Sequence, residues 1–138
     1  VANALYPKFK EALLNKEHDL NTDIIKATLI DSADYTYGAA HTTYVAGGSG
    51  VADVAKVAVS PQLTSPTIVD GVFDTADFTW TAVTGDVCEA IIIWNDSTTT
   101  PTADALVAFY DTGMTGMPVT PNGGNINVTV HASGWFAL

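Results

Sequence analysis

Residues Cys88 to Trp94 read C-E-A-I-I-I-W, and Ala105 to Tyr110 read A-L-V-A-F-Y. Both are short, nearly unbroken apolar runs, rich in β-branched and aromatic residues. Runs of this length and composition point to buried strands rather than helices. Between them stands N-D-S-T-T-T-P-T-A-D, Asn95 to Asp104, a polar segment of turn formers. The pattern is that of two strands joined by an exposed loop. Strands apolar on both faces belong in the centre of a sheet. Their second face must be covered by the N-terminal helix or by another subunit. Neither run has room for a catalytic group.

Further strands are expected on both sides of this pair. Ile24 to Ile30 alternates Ile25, Ala27 and Leu29 with Lys26 and Thr28, a half-buried pattern. Val51 to Ser60 reads as a strand or an extended arm. Thr67 to Phe73 carries Ile68 and Val72. Phe78 to Val83 gives the cleanest alternation, with Phe78, Trp80 and Ala82 on one face and threonines on the other. Ile126 to Val130 alternates again, and Gly134 to Leu138 closes the chain as a short apolar strand. Thr84-Gly85-Asp86 is a turn, and Asn122-Gly123 is the strongest turn signal. Gly47 to Gly50 is a hinge or loop tip. One helix is expected, over Asn3 to Asn15, starting near Tyr6 with Pro7 in its first turn. Phe9 and Leu13 fall on its apolar face, so it must dock on something.

Together these give a mainly β fold: an antiparallel β-sandwich or barrel-like domain of about seven or eight strands with one N-terminal α-helix. A single domain is expected over residues 1–138, with the helix at about 3–17 and the β domain at about 22–138. No βαβ alternation appears, which argues against a doubly wound sheet.

Composition narrows the function classes. The chain of 138 residues is 47% hydrophobic and only 14% charged, so it can build a core. Fifteen acidic residues against five lysines, with no arginine, give a net charge of −10. Nucleic-acid binding needs basic stripes and arginine forks, so no nucleic-acid partner is expected. An anionic membrane surface is disfavoured on the same ground. No apolar run reaches the length of a membrane span. Lys8, Lys10 and Glu11 interrupt any leader-like segment at the start. The one cysteine, Cys88, allows no internal disulfide and sits in the most apolar strand, consistent with folding in a cytosol.

The sharpest chemical motif is Asp111-Thr112-Gly113, directly after the run ending at Tyr110. Aspartic proteases carry D-T-G after such a strand, with two carboxylates sharing a proton. The alternative is a strand ending in an Asp-Thr-Gly turn. The residues after Gly113 read as a Pro/Gly loop and two strands, without a flap and further core strand, and favour the turn. Asp31/Asp34 and Asp74/Asp77 each place two acids on a loop. Neither has the glycine-centred calcium loop ending in Glu, so turn aspartates are expected. His18, His41 and His131 are isolated, without any zinc-ligand spacing. No nucleophile elbow surrounds Ser133 or Cys88. No metal, cofactor or catalytic residue is expected. Loop tyrosines and terminal aromatics are the remaining signal, because such rings favour interfaces as well as packing under a domain's own loops. The candidate interface residues are Tyr6, Phe9, Leu13, Tyr35, Tyr37, Tyr44, Trp135 and Phe136.

Several stretches together resemble a known group of proteins. They are A-N-A-L-Y-P-K-F-K-E-A-L-L, D-I-I-K-A-T-L-I-D-S-A-D-Y-T-Y, T-I-V-D-G-V-F-D-T-A-D-F-T-W-T-A-V-T-G-D with E-A-I-I-I-W-N-D, and L-V-A-F-Y-D-T-G with P-V-T-P-N-G-G-N-I-N-V-T-V. This chain looks like a family of small structural proteins of tailed bacteriophages. The likeness runs nearly end to end and is least distinctive over Tyr44 to Thr64. It implies a virion component on the capsid surface, folded in the host bacterial cytoplasm. Its implied role is a capsid decoration or cement protein, with the major capsid protein lattice and its own copies, as a homotrimer, for partners. It supplies no catalytic residues. A tail, baseplate or fibre-associated virion protein is the alternative within structural proteins. A small β-rich hydrolase using Asp111 is the alternative from another class.

Overall fold

A computed structural model describes residues 3–97 and 103–138. The fold is mainly β, antiparallel throughout its strand pairs, with one helix near the N-terminus. In chain order the elements are β1 (Ala4–Leu5), α1 (Pro7–Leu14), β2 (Ile25–Ile30), β3 (Lys56–Val59), β4 (Thr67–Val69), β5 (Val72–Asp74), β6 (Phe78–Trp80), β7 (Ala90–Asp96), β8 (Ala103–Tyr110), β9 (Ile126–Val128) and β10 (Phe136–Ala137). They form a five-stranded sheet in the order β1-β8-β7-β2-β3, a three-stranded sheet β10-β5-β4 and a two-stranded pair β6-β9.

The run that decides the fold does lie at its centre. β7 is the middle strand of the large sheet, between β2 and β8, and Ala90 to Asn95 are all buried. Directly opposed residues of an antiparallel pair point to the same side. Ala27, Leu29, Ile91, Ile93, Ala108 and Tyr110 therefore share one face, and Thr28, Ile30, Ile92, Trp94 and Phe109 the other. The chain covers both. The second face lies under the loop between β2 and β3: Tyr44 stacks on Trp94 at 3.8 Å, and the Tyr35 and Tyr37 rings lie against Phe109. On the first face Trp135 packs on Tyr110, and His18 meets Asn95. The buried residues form one continuous cluster.

Several boundaries differ from those expected. The helix covers Pro7–Leu14, not residues 3–17. Tyr6 is its N-cap and Pro7 its first residue, where a missing N–H is harmless. Ahead of it, Ala4 and Leu5 pair with Phe109 and Ala108 as an edge strand. Thr67 to Phe73 is not one strand but the hairpin β4–β5. Asp70 and Gly71 both take positive φ, 51° and 78°, as the tight two-residue turn requires. The expected alternation through Val83 stops at Trp80, and Ala82 turns to φ 50°. Asn122-Gly123 closes no hairpin, because β9 pairs with β6 far upstream. There, Gly123 donates its N–H to the Val83 carbonyl. The middle of the expected Asn95–Asp104 loop lies outside the described residues. Val51 to Ser60 becomes one 3-10 turn, Asp53–Ala55, followed by β3.

Candidate functional site

The eight candidate interface residues fall into two groups. Tyr6, Phe9, Tyr35 and Tyr44 are buried in the protomer, and Leu13, Tyr37, Trp135 and Phe136 are half-buried against the same core. The rings of the first four pack inside the chain. Tyr35 and Tyr44 lie in the loop from Asp31 to Ala55, which seals the second face of the large sheet, and rings bury the most area per residue. Phe9, on α1, packs against His18 and Phe136. Their polar tips are matched. The Tyr6 and Tyr35 hydroxyls share a hydrogen bond of 2.8 Å, and the Tyr35 hydroxyl also meets His41 Nδ1 at 2.8 Å. Trp94 Nε1 donates to Thr28 Oγ1, which donates to the Tyr44 hydroxyl. Burial raises the Tyr35 hydroxyl above its ordinary pKa and pushes that of Tyr44 up to about 12. The tip of this loop is closed rather than free: the Gly50 N–H donates to the Gly47 carbonyl at 3.0 Å. A Cβ on Gly50 would stand 1.8 Å from the Val45 carbonyl oxygen, so only glycine fits there.

The chemical motifs resolve into turns. Asn3 Oδ1 accepts the backbone N–H groups of Asp111 and Thr112 and the Thr112 hydroxyl, while Asn3 Nδ2 donates to the Thr112 carbonyl. Gly113 takes φ 70°. The Asp-Thr-Gly segment thus ends β8 and fastens the start of the chain beside it. Asp31 Oδ1 accepts the Ala33 N–H, Asp74 Oδ1 the Thr75 N–H and Asp77 Oδ1 the Val130 N–H. His131 Nδ1 accepts the Ser133 N–H. Cys88 is fully buried, and burial pushes its thiol up to about 12, so it is no thiolate at neutral pH. Among the described residues no group of three or more His, Cys, Asp or Glu stands close enough to hold a metal ion. No helix among them is long and apolar enough to cross a membrane.

What the surface does offer is an apolar groove. It runs between the end of α1, the hairpin β4–β5 and the C-terminus, with a volume of about 420 Å³. Leu13, Leu20, Ile68, Phe73, Phe136 and Leu138 supply its apolar walls, and Lys16, His18 and Asp19 its polar end. Its floor is rigid, because the Phe136 ring packs on Phe73 at 5.4 Å and edge-on against Phe9 at 5.8 Å. Its rim is open: all three residues of β4 are exposed, and Leu138 is 69% exposed. Leu14, 85% exposed, stands on α1 beside Leu13. β4 is also the unpaired edge of its sheet, where strand edges and apolar side chains invite contact. Two of the eight candidates, Leu13 and Phe136, line this groove. Ile68 and Leu138, which also line the groove, were not among the candidates. The Asp70-Gly71 turn signals the hairpin that carries Ile68, and nothing local signals Leu138.

No protein-family model matches the chain, and no curated protein matches it.

Proposed function

We propose that this chain is a non-enzymatic structural protein of a tailed-phage virion, a decoration or cement protein that binds the assembled capsid as a homotrimer and stabilises it. The observation that carries the reading is the groove. Exposed apolar area gathered at one place marks a protein-contact surface more often than scattered single residues do. Here the exposed Ile68 and Leu138 stand over a concave apolar floor that includes Phe73 and Phe136. A clamp between coat subunits needs area and complementarity rather than chemistry. The resemblance of the sequence to small phage structural proteins supplies the kind of partner. The net charge of −10 keeps the free protein soluble and complements basic patches on a coat lattice.

The test is sedimentation with expanded, undecorated heads. The protein should pellet with the heads and saturate at a fixed number of copies per shell. Protein left in the supernatant at every ratio, or label found on tails of whole virions, overturns the reading. Light scattering tests the oligomer: a mass three times that of the chain, free or after release from heads, is the expected result.

A further inference from the structure

His18 is bound in a way that a second proton would break. Its imidazole lies where three segments meet. α1 touches it through the Phe9 ring, 5.1 Å away. The turn after α1 brings Asp23, and β7 brings Asn95. The Asn95 side-chain nitrogen has two hydrogens and no acceptor capacity. It lies 3.0 Å from His18 Nδ1 and 2.7 Å from Asp23 Oδ2. His18 Nδ1 is therefore the bare, accepting nitrogen, and the ring proton sits on Nε2. Asp23 Oδ2 also accepts the Asp19 N–H at 3.0 Å, which fixes the carboxylate in place. Asn95 is fully buried, and the His18 side chain is 1% exposed.

We propose that His18, Asn95 and Asp23 form an acid-labile latch, which fastens α1 to the sheet at neutral pH and releases it when Nδ1 takes a proton. A proton there sets an N–H donor against the Asn95 N–H donor, so a buried hydrogen bond becomes a repulsion. Asp23 Oδ2, 3.8 Å from Nδ1, is the alternative partner for the imidazolium. Reaching it displaces the Asn95 amide, and Asn95 sits in the central strand and cannot follow.

The charges around the ring act in both directions. Asp23 and Glu17, on the turn, favour the imidazolium, whereas burial, the largest effect, holds His18 below its ordinary value. On the α1 side, Lys8 is paired with Glu11, and Lys16 and Asp19 line the groove with His18. β7 and β8 present Asn95, Ala105 and Leu106, none of them charged. A histidine whose folded pKa is lowered contributes stability that is whole above the unfolded value of 6.5. That stability is lost as the pH falls through the lowered value. His18 lines both the apolar groove and a second groove along α1, so releasing the helix opens both. The latch belongs to the free protein and does not depend on what the groove binds.

Hydrogen–deuterium exchange of the full chain, corrected for intrinsic rates, reads the latch directly. As the pH falls from 6.5 to the lowered pKa the α1 amides should lose protection by up to tenfold per pH unit, the slope of a single proton, and the loss should level off below it. The amides of Ile91 to Trp94 should keep theirs. His18→Phe retains a ring and should flatten the pH dependence of α1. Should that variant fail to fold, Asp23→Asn removes the charge that favours the imidazolium and should move the transition to lower pH. Nitrogen-15 spectra of the wild-type ring should show Nε2 protonated and Nδ1 bare at neutral pH. Unchanged α1 protection, α1 and β7 loosening together, or a proton on Nδ1 at neutral pH would each overturn the latch.

Discussion

β7 and β4 are both short apolar strands, yet they do opposite things. β7 lies in the middle of five strands and buries every residue from Ala90 to Asn95. β4 is the edge of three strands, and every one of its residues is exposed. The first holds the domain together, and the second leaves apolar side chains facing outward beside a ready groove. Stability and the proposed contact surface are thus housed in different sheets, so substitutions should separate them.

The largest effect belongs to the centre. Ile92→Ala empties a fully buried position on β7 and should cost about 2–5 kcal/mol, read by urea or thermal unfolding. A loss under half that would mean that the central strand is not as closely packed as its burial implies.

Alkali should attack the same interior from several residues at once. Buried Cys88 and Tyr44 keep their protons to about 12, against ordinary values of 9.0 and 10.0. The unfolded chain loses those protons first, so stability falls as the pH rises from about 9. Cys88→Ala should delay that onset to about 10, where the tyrosines begin.

The hairpin beneath the groove comes next. Gly71 takes φ 78°, and a Cβ there would stand 2.9 Å from the Leu138 carbonyl oxygen. Gly71→Ala should cost about 1–2 kcal/mol and disturb the rim without touching β7. Tyr44→Phe is smaller. It strands the Thr28 hydroxyl proton and should cost about 1 kcal/mol while leaving the stack on Trp94.

The smallest change in stability should come from Ile68→Ser on β4, within about 0.5 kcal/mol of the parent. That variant sharpens the comparison most, because it should still fold while binding to heads falls. If Ile68→Ser binds as well as the parent, the groove is not the contact.

The sequence made the centre legible because the β7 and β8 runs carry their burial in their composition. The helix start was equally clear, through Pro7. The rim was not. β1 is two residues long and exists because β8 offers an edge, a fact that no local window contains. The β4–β5 hairpin was present in Asp70-Gly71 but masked by the apolar run on either side of it. Asn122-Gly123 does bend the chain, with Gly123 at φ 84°, but β9 takes its strand partner from β6 far upstream, a long-range pairing no turn signal reveals. The tyrosines stood out in the sequence as adhesive rings, but adhesion within the chain and between chains uses the same chemistry. Only the position of the large sheet decides between them. The apolar groove depends on elements far apart in sequence, α1, β4, β5 and β10, and no local pattern announces it.

The central claim, that a phage capsid is the partner and the β4 groove the contact, is tested most directly by cryo-electron microscopy of heads mixed with the protein. The account predicts trimeric density on the shell with Ile68 and Leu138 against coat protein or a sister protomer. Bare shells, or bound density with the groove turned to solvent, would contradict it.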